Sequence, residues 1–454
     1  MPKQLSLAIF FLLLTPLIGN TEDPPPNIVL ILSDDQAWTD YSFMGHPHIE
    51  TPNLDKLAKR SSVFKRGYVP TALCRPSLMT LTTGLYAHQH HVSGNDPSRA
   101  LIKPDTEPEK YQELRTKLIA KVDKHPCIAK LLGEKDYLSH QSGKWWQGNY
   151  KRGGFTHGMT RGFPQPGGRH GDDGLKIGRD GMQPVFDFID QSVESKKPFY
   201  LWYAPFLPHT PHNPPEELFE KYNAKVDSPF VAKYYAMCEW FDQTCGQLVD
   251  FLDEKGVSEN TLIVYISDNG WIQSRDSRKY APRSKQTCYE GGVRQPTMFC
   301  WPGKIPAGDR GDQLCSSIDI VPTMLAAAGI ETSDQLPGLN LLPCLKSGKP
   351  TQRKQVLGEG FAHDIANLDN PDDSLLYRWV VEDKWKLILT YDGVLGRHKQ
   401  AHPRTEKRPQ LYDLQSDPHE EKNLAADHPD VVARLAKQIG AWWPSERTVQ
   451  TTWE

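Results

Sequence analysis

No block of lysines and arginines occurs anywhere in the 454 residues, and the formal charge is only −3 at neutral pH. Without a basic stripe there is no electrostatic footprint for a phosphate backbone, so nucleic acid is excluded as an expected partner. Beyond residue 20 no run is long and apolar enough to span a bilayer, which takes about 20 apolar residues as a helix. Stable membrane insertion is therefore not expected. Cysteine is sparse, eight residues in all, far below the density of a mini-protein held by disulfides. Internal repeats and long low-complexity tracts are also missing. What is present is an ordinary globular balance, 38% hydrophobic and 24% charged, which supplies a core and gives no case for disorder.

The first residues have the layout of an export signal. Lys3 precedes an apolar stretch, Leu5 to Ile18, broken only by Ser6, Thr15 and Pro16, and Gly19 and Asn20 lead into a polar, proline-rich run. Residues 1–20 are expected to be a signal peptide, removed near Gly19, leaving a periplasmic or extracellular protein. In such a compartment the cysteines can pair, but their pairing is not legible, and chemical use of one leaves an odd number.

The length suggests one large domain with a smaller companion. Asn27–Ser33, Phe199–Ala204 and Thr261–Ser267 are continuous aliphatic and aromatic runs without alternation, the pattern of strands buried on both faces of a parallel sheet. Helical patterns lie between them, at Asn53 to Ser61, Pro126 to Leu132 and Phe230 to Asp253. Strands alternating with helices predict an α/β domain with a mainly parallel sheet and flanking helices, over residues 27–370. From about Leu375 the grammar changes. Tyr377 to Val381 and Trp385 to Thr390 read as strands joined by a turn, Gln410 to Leu414 follows, and Pro429 to Trp442 is an amphipathic helix. Residues 371–454 are expected to form a small antiparallel sheet-and-helix subdomain, with the boundary inside Asn367 to Asp373.

Ligands of open α/β sheets bind at the carboxyl ends of the strands. Two of these runs end in Asp34-Asp35 and Asp268-Asn269. Taken singly such pairs are turn formers; together they are four oxygen donors of the kind a hard cation such as Ca²⁺ takes. Cys74 stands just ahead of Pro76 and a helix-like run that closes at Gly84, so its sulfur falls where helix N–H groups favour negative charge.

The segment Cys74-Arg-Pro-Ser77 with Gly84 resembles the maturation motif of the type I, formylglycine-dependent sulfatases of the alkaline-phosphatase-like superfamily. Gly143-Lys144-Trp145, Pro208-His209-Thr-Pro211, Ser267-Asp-Asn-Gly270 and Lys285 through Tyr289-Glu-Gly-Gly-Val-Arg294 resemble further motifs of that family, in its order. Trp385-Lys-Leu-Ile388 and Leu411 to Pro418 are similar to its C-terminal subdomain. The resemblance implies an alkaline-phosphatase-like α/β fold and a calcium ion on Asp34, Asp35, Asp268, Asn269 and residue 74. It also implies that a maturation enzyme oxidises Cys74 to formylglycine. A hydrated aldehyde would attack sulfur, Lys144 and Lys285 would offset charge on the sulfate oxygens, and His209 would protonate the leaving alcohol. The implied substrate is a sulfated small molecule or glycan.

Two positions depart from the family pattern. Leu78 stands where an arginine usually follows the cysteine by four residues, and Trp146 replaces the histidine of Gly-Lys-Trp-His. Indole offers one neutral donor in place of imidazolium. His140, His157, His170 and His212 are candidates to compensate, and Arg75 and Trp146 are candidates to contact substrate. Trp146 and Trp271 offer flat faces for a sugar. Two other readings stay open: a phosphate or phosphonate ester hydrolase on the same fold, and a homologue that binds a sulfated ligand without turnover.

Overall fold

The run Asn27–Ser33 sits at the centre of an eight-stranded sheet in the computed structural model of the protein, which describes residues 24–98, 102, 104–332, 334–402 and 406–449. Phe199–Ala204 and Thr261–Ser267 flank it, both parallel to it, as their unbroken apolar character requires. Leu138–Gly143 and His157–Gly158 extend one side in parallel. On the other side Thr297–Cys300 runs antiparallel to both of its neighbours, Thr261–Ser267 and Ser62–Phe64, and Gly308–Asp309 forms the edge. The expected export signal, residues 1–20, lies outside the described residues. Among the described residues no helix is long and apolar enough to cross a membrane.

Side-chain alternation assigns each face of the sheet its own core. Ile28, Leu30 and Leu32 meet Leu78 and Leu81 of the helix Cys74–Thr83 and Val321 and Met324 of the helix Ile320–Ala327. Val29 and Ile31 point the other way, onto Met237, Phe241 and Leu248 of the long helix Pro229–Glu254. Each such side chain taken from water contributes about 1.5–3 kcal/mol, and central residues of the strand are fully buried. The strands therefore have little freedom to shift register, and the residues at their carboxyl ends are fixed relative to one another.

A four-stranded antiparallel sheet follows, in the order Gln355–Phe361, Leu375–Glu382, Trp385–Thr390, Gln410–Asp413. Its first strand lies upstream of the loop Asn367 to Asp373. One face packs Val380, Leu387 and Leu389 against Val432, Leu435 and Ile439 of the helix Pro429–Trp442. The other face packs Trp379, Val381 and Ile388 onto Tyr68 and Val293 of the large sheet's domain. An ion cluster is buried in this second interface. Lys386 Nζ donates to Glu290 at 2.9 Å and lies 3.0 Å from Glu420 Oε1, and Tyr68 donates to Glu290 at 3.1 Å. All eight cysteines are unpaired thiols.

Candidate active site

Two strand ends supply the floor of the site. Asp34 follows Ser33, Asp268 follows Ser267, and the pairing of the two strands continues into them through the Asp268 N–H, which donates to the Ser33 carbonyl at 2.9 Å. Asp35 adopts a left-handed φ of 67°, tolerable for an aspartate, and its backbone N–H donates to Asp268 Oδ1 at 3.2 Å. Asn269 Nδ2 donates to Asp35 Oδ1 at 2.6 Å. Cys74, the first residue of its helix, brings Sγ to 4.0 Å from Asp35 Oδ1. Asp34, Asp35, Cys74 and His209 all place a ligand atom within 4.8 Å of one another. The four acidic and amide residues expected to act together are thus adjacent.

Glycines explain how the lysine and carboxylate motifs converge. Gly143 has φ of 81°, and a Cβ there would lie 1.8 Å from the Ala204 carbonyl, so only glycine lets the strand bend and aim Lys144 inward. Lys144 Nζ donates to Asp34 Oδ1 at 2.6 Å and lies 3.6 Å from Asp268 Oδ2. Gly270 packs on the Glu290-Gly291-Gly292 turn so closely that a Cβ would meet the Gly291 carbonyl at 2.0 Å. That contact brings in the loop carrying Lys285, whose Nζ donates to Asp35 Oδ2 at 2.6 Å. His209 donates from Nδ1 to the Thr210 carbonyl at 2.6 Å, which turns Nε2 toward Asp35 Oδ2 at 3.4 Å. Its ring stacks on Phe206 with centroids 4.2 Å apart.

Burial dominates the electrostatics. It pushes the Cys74 thiol up to about 12, against the pull of Lys144 and Lys285. It also raises Asp34 and Asp268, which share the same small volume, although Lys144 pulls both down. For Lys144 burial opposes the charge, but Asp34 and its neighbours outweigh it and hold the ammonium well above its usual range. Burial and the two ammoniums lower His209 well below the ordinary imidazole value. Three carboxyl groups thus face two ammoniums in the cup.

Above this floor opens a cavity of about 900 Å³, lined by Cys74, His209, Lys285, Trp146 and Trp271 among others. Trp146 lies between Arg169, whose guanidinium carbon is 4.6 Å from the ring centroid, and His170. His170 is thus the histidine nearest the departure at residue 146, whereas His140 packs edge-on against Phe188 behind the sheet. Arg75 is fully buried beneath the wall. Its Nη1 donates to the Asn95 carbonyl at 3.2 Å and its Nη2 to Gln147 at 2.9 Å, so it bears on the cavity through those residues and Trp146. Leu78 faces the hydrophobic core. Asn95, Arg169, His363, Arg397 and His398 also line the cavity. No motif marks them, and only their convergence in the fold reveals them.

Residues 26–330 match the Sulfatase family model, and residues 281–442 match the model of the N-sulphoglucosamine sulphohydrolase C-terminal region. N-acetylgalactosamine-6-sulfatase of Canis lupus familiaris is 29% identical over 374 residues, covering 72% of this chain and 67% of that protein. Arylsulfatase A of Homo sapiens is 28% identical over 482 residues, covering 91% of this chain and 87% of that protein. The crystal structure of Ps i-CgsB in complex with k-i-k-neocarrahexaose superposes with a TM-score of 0.70 at 25% identity, covering 92% of each chain. The α/β architecture, the strand-end carboxylates and the matched length agree, and the chain belongs to the sulfatase family of sulfuric ester hydrolases.

Proposed function

We propose that the protein is an exported sulfatase that cleaves sulfate esters of a carbohydrate, with residue 74 as nucleophile after conversion to formylglycine and one Ca²⁺ on Asp34, Asp35, Asp268 and Asn269. One observation carries this reading. Asp34 Oδ2, Asp268 Oδ2 and Asn269 Oδ1 are buried beside Cys74 with no hydrogen-bond partner among the described residues. Unpaired buried acceptors are costly, and oxygen donors of this kind suit a calcium ion, which takes about 6–8 of them. When bound, the ion would supply positive charge against the sulfate oxygens and favour a deprotonated hydroxyl. Formylglycine would supply a hydrated aldehyde, a nucleophile that a thiol held protonated by burial does not offer.

The chain's own groups then have separable tasks. Lys144 and Lys285 place two ammoniums in the cup, where they can hold sulfate oxygens as charge builds on them. The hydrogen bond from Nδ1 to Thr210 fixes the His209 ring so that Nε2 faces the reacting centre, the position from which a proton reaches the departing alcohol. An anionic substrate at this point favours the imidazolium, against the two lysines. Trp146 and Trp271 present aromatic surface to the sugar. Two of the similar proteins support a carbohydrate substrate, one named for a 6-sulfated amino sugar and one solved with a neocarrahexaose. Matched aryl sulfate and aryl phosphate substrates test the reaction class. Release from the sulfate ester is expected to dominate, and equal or faster release of phosphate would overturn the reading.

Two expected results follow from these roles. At free Ca²⁺ about 1,000-fold above its dissociation constant, the folded state should gain about 4 kcal/mol, seen as a rise in Tm that chelation reverses. Asp35→Asn combined with Asp268→Asn should abolish that rise, and a surviving single-ion response would remove these ligands. His209→Ala should slow alkyl sulfates about 100-fold or more, within the range of general acid catalysis, and activated aryl sulfates much less, because only a poor leaving group needs the proton. Equal losses on both substrates would reduce His209 to a binding residue.

A further inference from the structure

The cavity above Cys74 is lined by five cationic side chains, Arg169, Arg278, Lys279, Lys285 and Arg397, and by no carboxylate among the described residues. Lys285 belongs to the cup beneath. A single sulfate ester reacting in that cup leaves the other four cations without a task. They are not an incidental surface cluster, because two of them are held on a buried framework. Arg169 Nε donates to Asp96 Oδ1 at 3.2 Å, and Arg397 Nη2 donates to Asp96 Oδ2 at 2.8 Å and to Asp364 Oδ1 at 2.7 Å. Asp96 and Asp364 are buried, while Arg169 and Arg397 keep 40% and 33% of their side-chain surface exposed. A third guanidinium, Arg115, donates to Asp96 from below at 2.9 Å.

Three guanidiniums on two carboxylates leave this wall positive, with the acids behind and the cations toward the cavity. Burial works to raise Asp96, but Arg169 and Arg115 outweigh it and hold its carboxyl well below the usual range. Asp96, His363 and Asp364 stand close enough together to suggest a metal site. The guanidiniums already occupy those carboxylates, so the cluster repels a cation. The framework is also tied to the nucleophile. His363 Nδ1 lies 2.7 Å from Asp364, and its Nε2 lies 3.3 Å from Asn95 Nδ2. Asn95 Oδ1 in turn accepts from the backbone N–H of Arg75, the residue after Cys74. Arg278 and Lys279 are exposed and have no ion-pair partner among the described residues. A cavity of about 900 Å³ is at the large end of the ~300–1,000 Å³ usual for ligand sites. It has room for more than one sulfated sugar ring.

We propose that this wall binds a second anionic group of the substrate, a further sulfate or a carboxylate on the same or an adjoining sugar, so that the enzyme selects polyanionic saccharides. The inference rests on the sulfatase reading of the Cys74 cup. Guanidiniums fixed by buried carboxylates lose little side-chain freedom on binding, and their planar forks suit sulfate and carboxylate oxygens.

The test compares three disaccharides carrying the same scissile sulfate: one with no other charge, one with a second sulfate and one with a uronate carboxylate. With the wild-type enzyme, kcat/KM should be about 10–100-fold higher for at least one dianionic substrate, mainly through KM. That advantage should shrink as salt rises, because the wall is open to solvent. Arg397→Gln and Arg169→Gln should each cut the ratio of dianionic to monoanionic kcat/KM by about tenfold or more. Removing Arg397 exposes buried carboxylates, so Arg278→Gln with Lys279→Gln serves as a second variant that leaves the framework intact; it should also lower the ratio. Sulfate release from all three substrates at equal kcat/KM, with no variant changing the ratio, overturns this inference and leaves the sulfatase reading standing. No release from any of the three overturns the sulfatase reading itself.

Discussion

Cys74→Ala protein should release sulfate at least about 10⁴-fold more slowly than the parent enzyme made in its native host, the scale of losing a covalent nucleophile. Peptide mass spectrometry of that parent should find residue 74 as formylglycine. The geometry states why the thiol alone is not enough. Cys74 is 1% exposed, and burial pushes its thiol up to about 12, so almost none is thiolate at neutral pH. A thiol also lacks the second hydroxyl of a hydrated aldehyde. The leucine at residue 78 leaves the electrostatics of the cup intact. Leu78 lies one helical turn beyond Cys74 and joins the apolar cluster with Leu81, while the cations of the cup come from Lys144 and Lys285 on separate elements. Electrostatic support for an anion therefore survives without an arginine on this helix. A maturation enzyme that requires that arginine would leave a thiol, so a foreign host is expected to give partial or no conversion. A native protein with an unmodified Cys74, together with undiminished sulfate release from Cys74→Ala, would falsify the mechanism.

The floor of this site was legible in the sequence because its parts sit at strand ends. Runs such as Asn27–Ser33 and Thr261–Ser267 announce buried parallel strands, and a parallel pair with register Ser33↔Ser267 must bring Asp34-Asp35 beside Asp268-Asn269. The glycine after a strand in Gly143-Lys144 has a local cause of the same kind. The cavity wall had no such signal. Asp96, Arg169, Asp364 and Arg397 come from loops and short bridges scattered over the chain, and in the sequence each alone is an ordinary charged residue. Only the pairing of Asp364 with Asp96 in a two-residue bridge assembles them. The strand Gln355–Phe361 was hidden for another reason: Gly358 and Gly360 interrupt its alternation, so it has no clear apolar face of its own. Arg75 shows the limit of reading proximity from sequence. It adjoins the nucleophile in the chain, yet the helix turns it away from the cavity into a buried polar pocket with Asn95 and Gln147.

Lys386→Ala should destabilise the fold by about 3–5 kcal/mol, the usual result of removing one partner from a buried ion cluster. Glu290 belongs to the Tyr-Glu-Gly-Gly motif that delivers Lys285, but its carboxylate faces away from the cavity, toward Lys386 of the C-terminal sheet and the Tyr68 hydroxyl. Glu420 completes the cluster, its Oε2 accepting the Glu290 backbone N–H at 2.6 Å. Lys386 is fully buried, so its loss leaves two carboxylates sharing a dry interface with only the Arg294 guanidinium, 3.6 Å from Glu290, beside them. The pH dependence has a definite sign. Burial and then Glu290 push Glu420 up to about 7, with Lys386 pulling it down. A carboxyl whose folded value exceeds its unfolded one keeps a proton that the unfolded chain releases, so stability falls as pH rises from the ordinary glutamate range toward 7. Without Lys386 the folded value moves higher still, and the penalty of Lys386→Ala should be smaller at pH 5 than at pH 8. Urea unfolding of parent and variant at both pH values measures it. Activity should fall with stability, because the turn that Glu290 anchors is the one packed on Gly270 at the strand end. An equal penalty at the two pH values would show that packing of the lysine stem, and not its charge, holds this interface together.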